Sequence, residues 1–249
     1  MRNHLAATAP LLFASTSAFA SDSLPQLQAA LVKMKGTTPV AGSVSVQKTL
    51  KTKDGDDEKN DQSGVTLQFA TSGEGMALTY PPALLEQIRK EEDAKEANPD
   101  AKGGTRTAMN EVDPLDLNKL LDEAAVLRRR LMHAKLVDER PGLLDNKPVR
   151  ILQFAVTPPM SKSEAKHVKS LDVKVRLWVN SESVPLLAEI SSKVKVSFLL
   201  IGGESSESER VQFAASGDRL IAVRREVEHS DSGLGQTSAS KTVVTVSLR

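Results

Sequence analysis

From Leu136 to its end the chain reads almost entirely as strands. In "SLDVKVRLWVN", Val173, Val175, Leu177 and Val179 alternate with Lys174, Arg176 and Trp178. A period of two places the first set on one face of a sheet and the second on the other. The only tryptophan therefore falls on the basic face, where the stems of Lys174 and Arg176 can cover its ring. "VPLLAEI" continues as the returning strand of a hairpin that turns at Asn180–Ser183. "VDERPGLLDNKPVRILQFAV" reads as two strands around a turn, and "ERVQFAASGDRLIAVRREVEH" as a hairpin turning at Ser216-Gly217-Asp218. "KTVVTVSLR" is a last strand; "GGESSESE" reads as a hairpin tip and "HSDSGLGQTSAS" as a mobile loop.

The same pattern occupies residues 40–80. "VAGSVSVQKTL", "VTLQFAT" and "MALTYPP" form a three-strand meander whose first connection, "KTKDGDDEKNDQSG", is polar. Roughly ten strands with no βαβ alternation predict an α+β fold built on one large antiparallel sheet. A sheet with one apolar face must cover it, and the sequence offers helices for the purpose. "SLPQLQAALVKMKG" is amphipathic, with Leu24, Leu27, Leu31 and Met34 on one stripe, Ser23 and Gln26 at capping-box spacing and Gly36 as a stop. "DPLDLNKLLDEAAVLRRRLMHAKL" is the strongest helical pattern. Asp113 is its cap, Pro114 its first residue, and Leu117, Leu120, Leu121, Ala124, Leu127 and Leu131 its apolar stripe. Arg128, Arg129 and Arg130 complement the dipole at its end. A charged helix begins at Leu84, so a helical insertion spans about 84–135 of a single domain covering 21–249.

The first twenty residues, "MRNHLAATAPLLFASTSAFA", have a basic start, an apolar stretch and Ala18-Phe19-Ala20, which predicts a secretory signal peptide cleaved after Ala20. There is no cysteine, so thiol catalysis and thiolate metal sites are excluded and no lipid anchor on an N-terminal cysteine is expected. A chain of this size can fold without disulfides, and the expected compartment is the periplasm. No later segment approaches the roughly 20 apolar residues of a membrane-spanning helix.

Catalytic chemistry finds little purchase. His133, His167 and His229 lie in no nucleophile-elbow or metal-ligand spacing. Gly202-Gly203 and Gly233–Gly235 lack a following helix and a phosphate-binding lysine. The acidic run Asp54, Asp56, Asp57, Glu58 and Asp61 is interspersed with lysine and lacks EF-hand spacing, so it reads as a solvated connection. A net charge of +1 with both signs interspersed gives no nucleic-acid footprint. The expectation is a non-enzymatic protein with no cofactor and no metal.

The N-terminal "LPQLQAALVKMKG" helix, the strands "VSVQ", "GVTLQF" and "LTYPP", and the "LWVN…VPLLAEI" hairpin together resemble the LolA/LolB-like superfamily of periplasmic lipoprotein carriers and outer-membrane lipoprotein receptors. The resemblance covers about residues 24–80 and 171–200. It implies an open, incomplete antiparallel barrel, curled into a half-barrel with helices on its concave face, that shelters acyl chains. Met76 and Ala77 stand where the carriers typically have an arginine and an aromatic. Phe69, Leu78, Tyr80, Phe154, Phe198 and Phe213 are the expected ligand-lining residues, with core packing as the alternative role for each. The expected partner is a lipid or lipoprotein acyl chain. The alternative is a filled core and an envelope-protein partner that uses the strand edges or the charged helix.

Overall fold

A computed structural model describes residues 22–249 apart from 56, 100, 102, 199, 200, 234 and 235, with the backbone alone at 198 and 201. The expected signal peptide lies outside the described residues. The chain opens with α1 (Ser23–Lys33), followed by strands β1 (Ala41–Asp54), β2 (Asp57–Ser72) and β3 (Gly75–Thr79). Helices α2 (Pro82–Ala97), α3 (Thr105–Asn110), α4 (Pro114–Leu121) and α5 (Glu123–Leu131) come next. Strands β4 (Ala134–Leu144) and β5 (Lys147–Val156) lead to α6 (Lys162–His167). Five long strands finish the chain: β6 (Val168–Val179), β7 (Pro185–Phe198), β8 (Ile201–Ser216), β9 (Arg219–Gly233) and β10 (Gln236–Leu248).

All ten strands form one antiparallel sheet in the order β3-β2-β1-β10-β9-β8-β7-β6-β5-β4. The end strands β3 and β4 do not pair, so the sheet is open. Flat, ten strands would span about 43 Å. Yet α4 touches both β3 and β9, and α5 touches both β9 and β4. Those helices have 8 and 9 residues, about 25 Å end to end, so the sheet must curl around them. The fold is the expected α+β half-barrel with helices on its concave face.

Strand register defines that face. Leu152, Leu177, Ala188 and Val211 stand side by side across β5 to β8, and Val244, Val46 and Val65 continue the row on the far side of β9. The α4–α5 stripe Leu117, Leu120, Leu121, Ala124, Leu127 and Leu131 lies buried with them, as do Leu27 and Leu31 of α1. Trp178 is half-buried on the opposite face with the Arg176 guanidinium 5.8 Å from its ring centroid, as parity requires.

Several expectations need correction. The supposed single helix from Asp113 breaks at Asp122, whose backbone (φ −138°, ψ 58°) is not helical and whose side chain caps the new helix at Ala125 N. An ideal stripe continues through the break because both halves face the same sheet, which is why periodicity hides it. Ser23 is not a cap: its hydroxyl donates to Glu139 at 2.6 Å and accepts from Arg150 at 3.0 Å, tying α1 to β4 and β5. The described parts of the polar connection 51–64 and of 229–240 are strand, paired almost to the turn. "GGESSESE" likewise belongs to β8. Backbone ladders need no apolar side chains, so a polar composition conceals them. The short helices α3 and α6 also escape sequence periodicity.

Candidate functional site

The residues expected to line a ligand site divide into three groups. Phe69 on β2, Phe154 on β5 and Phe213 on β8 are buried in one continuous core, with Phe154 0% exposed. Leu78 packs against that core from β3. Tyr80, just beyond β3, is 36% exposed and stands apart from the buried rings. Phe198 ends β7, and its side chain lies outside the described residues. The concave face is thus one apolar lining, and in this conformation α1, α3, α4 and α5 occupy it.

The cover is fastened by polar contacts that sequence reasoning missed. Glu209 of β8 lies on the inner face, two positions from Val211, and is 5% exposed. It accepts from Arg225 Nε of β9 at 2.8 Å and pairs with Arg130 Nη2 of α5 at 3.3 Å. Glu123, in the first turn of α5, is 6% exposed. Burial and then the Glu209 carboxylate push its carboxyl up to about 7, against the pull of Arg225 and Arg130. At the far side of the cover Lys48 of β1 pairs with Glu111, between α3 and α4. Strand parity was the available signal: Glu209 falls in the series with Val211 and Phe213, where a charge on an apolar face asks for a partner.

A second hub holds the chain between α1 and β1. Asp218, in the β8–β9 turn, accepts from Thr37 N and Oγ1 and from Thr38 N. These bonds hold its carboxyl far below the usual carboxylate range. Arg219, beside it, donates to the carbonyls of Thr38 and, at 3.3 Å, Leu121. The junction of α4 and α5 is therefore tied to the same turn.

The opposite face carries a groove of about 430 Å³ where β7, β8, β9, β10 and β1 curl together, lined by Lys51, Lys193, Ser206, Ser208, Glu228 and Lys241 among others. Lys241 bonds Glu226 and Glu228, which raises the Lys241 pKa, and its bond to Glu226 lowers that of the carboxyl, whereas Lys51 and Lys193 line the groove without an ion pair among the described residues. His229 Nε2 lies 2.7 Å from Asp231, and Nδ1 faces Glu207 at 3.8 Å. The imidazole thus stands between two carboxylates, hydrogen-bonded to that of Asp231. No helix among the described residues is long and apolar enough to cross a membrane. Compared with models of known protein families and with curated proteins, the chain matches none.

Proposed function

We propose that this chain is a non-enzymatic binding protein of the periplasm that shelters an apolar or amphipathic chain, such as a lipid or a lipoprotein acyl group, on the inner face of its half-barrel. One observation carries the reading: a continuous apolar lining is covered by helices, of which the central pair α4 and α5 breaks at Asp122 and α5 docks partly through ions. A ligand enters by replacing Leu117, Leu120, Leu121, Leu127 and Leu131 on that lining. The exchange is apolar for apolar, and each methylene buried contributes about 0.8 kcal/mol, so a chain of modest length offsets the lost helix contacts.

The absence of native cysteine makes the test clean. Ala222, on β9, is 1% exposed and pairs with Phe213. In Ala222→Cys, a fluorescent fatty acid should bind and accelerate labelling of the thiol as the cover lifts. Protein taken from the periplasm should also carry extractable lipid and begin at Ser21. No lipid, no probe binding and no acceleration together would end this reading.

A second reading keeps the core filled and makes the protein an envelope interaction factor. It rests on α2, whose 16 residues include none that is buried and whose Leu85 is 53% exposed. Polar bonds hold α2 to α3, with Glu91 accepting from Thr105 N at 3.0 Å. Deletion of 84–97 that leaves the fold intact but abolishes a purified complex with an envelope protein would favour it.

A further inference from the structure

The contact between α5 and the sheet contains more negative charge than its cations neutralise at close range. Arg225 and Arg130 both bond Glu209, and they face Glu123 only at longer range. Asp122, next along the chain, adds a third carboxylate whose Oδ1 already accepts from Ala125 N at 3.3 Å. The neighbouring elements supply no relief. Lys33 of α1 is exposed, and Lys119 of α4 pairs with Asp116 on the solvent side. Glu139 of β4 is held by Arg150 and Ser23, and Arg219 of β9 donates to backbone carbonyls.

We infer that Glu123 is a proton-operated latch on the helical cover: protonated, it lets α5 lie on β8 and β9, and ionised, it favours release of α5 from the apolar lining. The inference rests on the reading of that lining as a ligand surface and gives it a regulator, the pH of the compartment. Asp122 provides the joint, because the helix is already interrupted there and α5 can move without unwinding α4.

The direction follows from linkage. The Glu123 carboxyl titrates near 7 when α5 is docked and returns toward its ordinary 4.5 when α5 is released into water. The equilibrium constant for release therefore rises about tenfold per pH unit between those values and levels off above the higher one.

The full chain carrying Ala222→Cys reads this directly, with the thiol-labelling rate divided by that of the exposed control Ser181→Cys to remove the pH dependence of the thiol itself. The ratio should rise about fortyfold from pH 5 to pH 7 and by no more than about a further twofold to pH 8. Adding Glu123→Gln should hold the ratio at its low-pH value throughout. Should that variant fold poorly, Arg130→Met replaces it: loss of a facing cation makes the ionised carboxylate costlier, so the rise should continue above pH 7. A flat ratio in the parent, a Glu123→Gln variant that tracks the parent, or an Arg130→Met curve that superimposes on it would overturn the latch. Fluorescent fatty-acid binding measured alongside separates the two ideas. A pH-dependent ratio with no probe binding, no extractable lipid and no acceleration of labelling by the probe supports the latch and removes the carrier reading; probe binding with a flat ratio removes the latch alone.

Discussion

Two neighbouring buried glutamates should answer the same substitution with opposite signs. Glu123→Gln removes a carboxylate that the docked helix disfavours, whereas Glu209→Gln removes the acceptor of two arginines. In the parent, Glu123 titrates at about 7 when folded and at its ordinary 4.5 when unfolded. A folded value above the unfolded one means that the native state holds the proton more tightly. Its contribution is then complete below the unfolded value and is lost as pH rises through the folded one. The gap amounts to about 3 kcal/mol at pH 8. Glu123→Gln should thus stabilise the protein by up to about 3 kcal/mol at pH 8 and by no more than about 1 kcal/mol at pH 5. Glu209→Gln strands two guanidinium groups at an apolar boundary, a change that costs about 3 kcal/mol or more when one partner of a buried pair is removed. Its cost should be lower at pH 8, where Glu123, freed from its neighbour, can ionise toward the same arginines. Urea denaturation followed by the fluorescence of the single tryptophan, Trp178, measures both at the two pH values. A destabilising Glu123→Gln at pH 8, or a stabilising Glu209→Gln, would refute the assignment of the proton to Glu123.

Other substitutions separate core from edge and space from charge. Phe154→Ala should cost about 3–5 kcal/mol while Tyr80→Ala stays within about 0.5 kcal/mol, both by thermal denaturation. Gly217 has φ +60°, and a Cβ there would stand 2.6 Å from Thr38 Oγ1; Gly217→Ala should therefore destabilise by more than about 1 kcal/mol. Gly73→Ala meets nothing within 4 Å and should be close to neutral in the same melting assay. Asp218→Ala should lower the melting temperature at neutral pH. Because the native carboxyl is held low, the difference from the parent should persist through mildly acid pH and shrink as pH falls below the ordinary carboxylate range.

Sequence reasoning reached the sheet because its lower half is apolar on one face and periodic. Val173, Val175 and Leu177 could only be read one way, and once one strand was placed its neighbours followed by parity. The upper half was misread for the complementary reason. In "HSDSGLGQTSAS" nothing needs burial, so period-two selection is absent, yet Ser238 opposes Asp231 and Ser240 opposes His229 in an ordinary ladder. The candidate rings were recognised as inward-facing residues, but no single-sequence pattern reports whether helices fill the space above them. The ionic fastening was missed because Arg130 had a sufficient explanation at a helix C-terminus, and Glu209 stood where a stretch read as a hairpin tip meets the next strand.

Register shows where the fastening sits, and this leads to a last prediction. Lys48, Thr242, Val227, Glu209, Ile190, Val175 and Phe154 form one transverse row across β1 to β5, through β10, β9, β8, β7 and β6. One step below, the row is Val46, Val244, Arg225, Val211, Ala188, Leu177 and Leu152; one step above, it includes Leu50, Ser240, His229, Glu207 and Ser192. Lys48 and Glu209 are thus at the line where the lining gives way to polar strand, and each holds a different part of the cover: Lys48 the α3–α4 junction through Glu111, Glu209 helix α5 through Arg130. With the break at Asp122 between them, the two parts should open independently. In native-state hydrogen exchange, Lys48→Met should speed exchange of the 105–121 amides by up to about fivefold, the worth of a half-exposed pair, and leave 124–131 unchanged. Glu209→Gln should do the reverse, and high salt should mimic Lys48→Met more closely than Glu209→Gln because the Lys48 pair is nearer solvent than the Glu209 carboxylate. Equal acceleration of both segments by either substitution would mean that the cover moves as one body and that Asp122 is a kink without mechanical consequence.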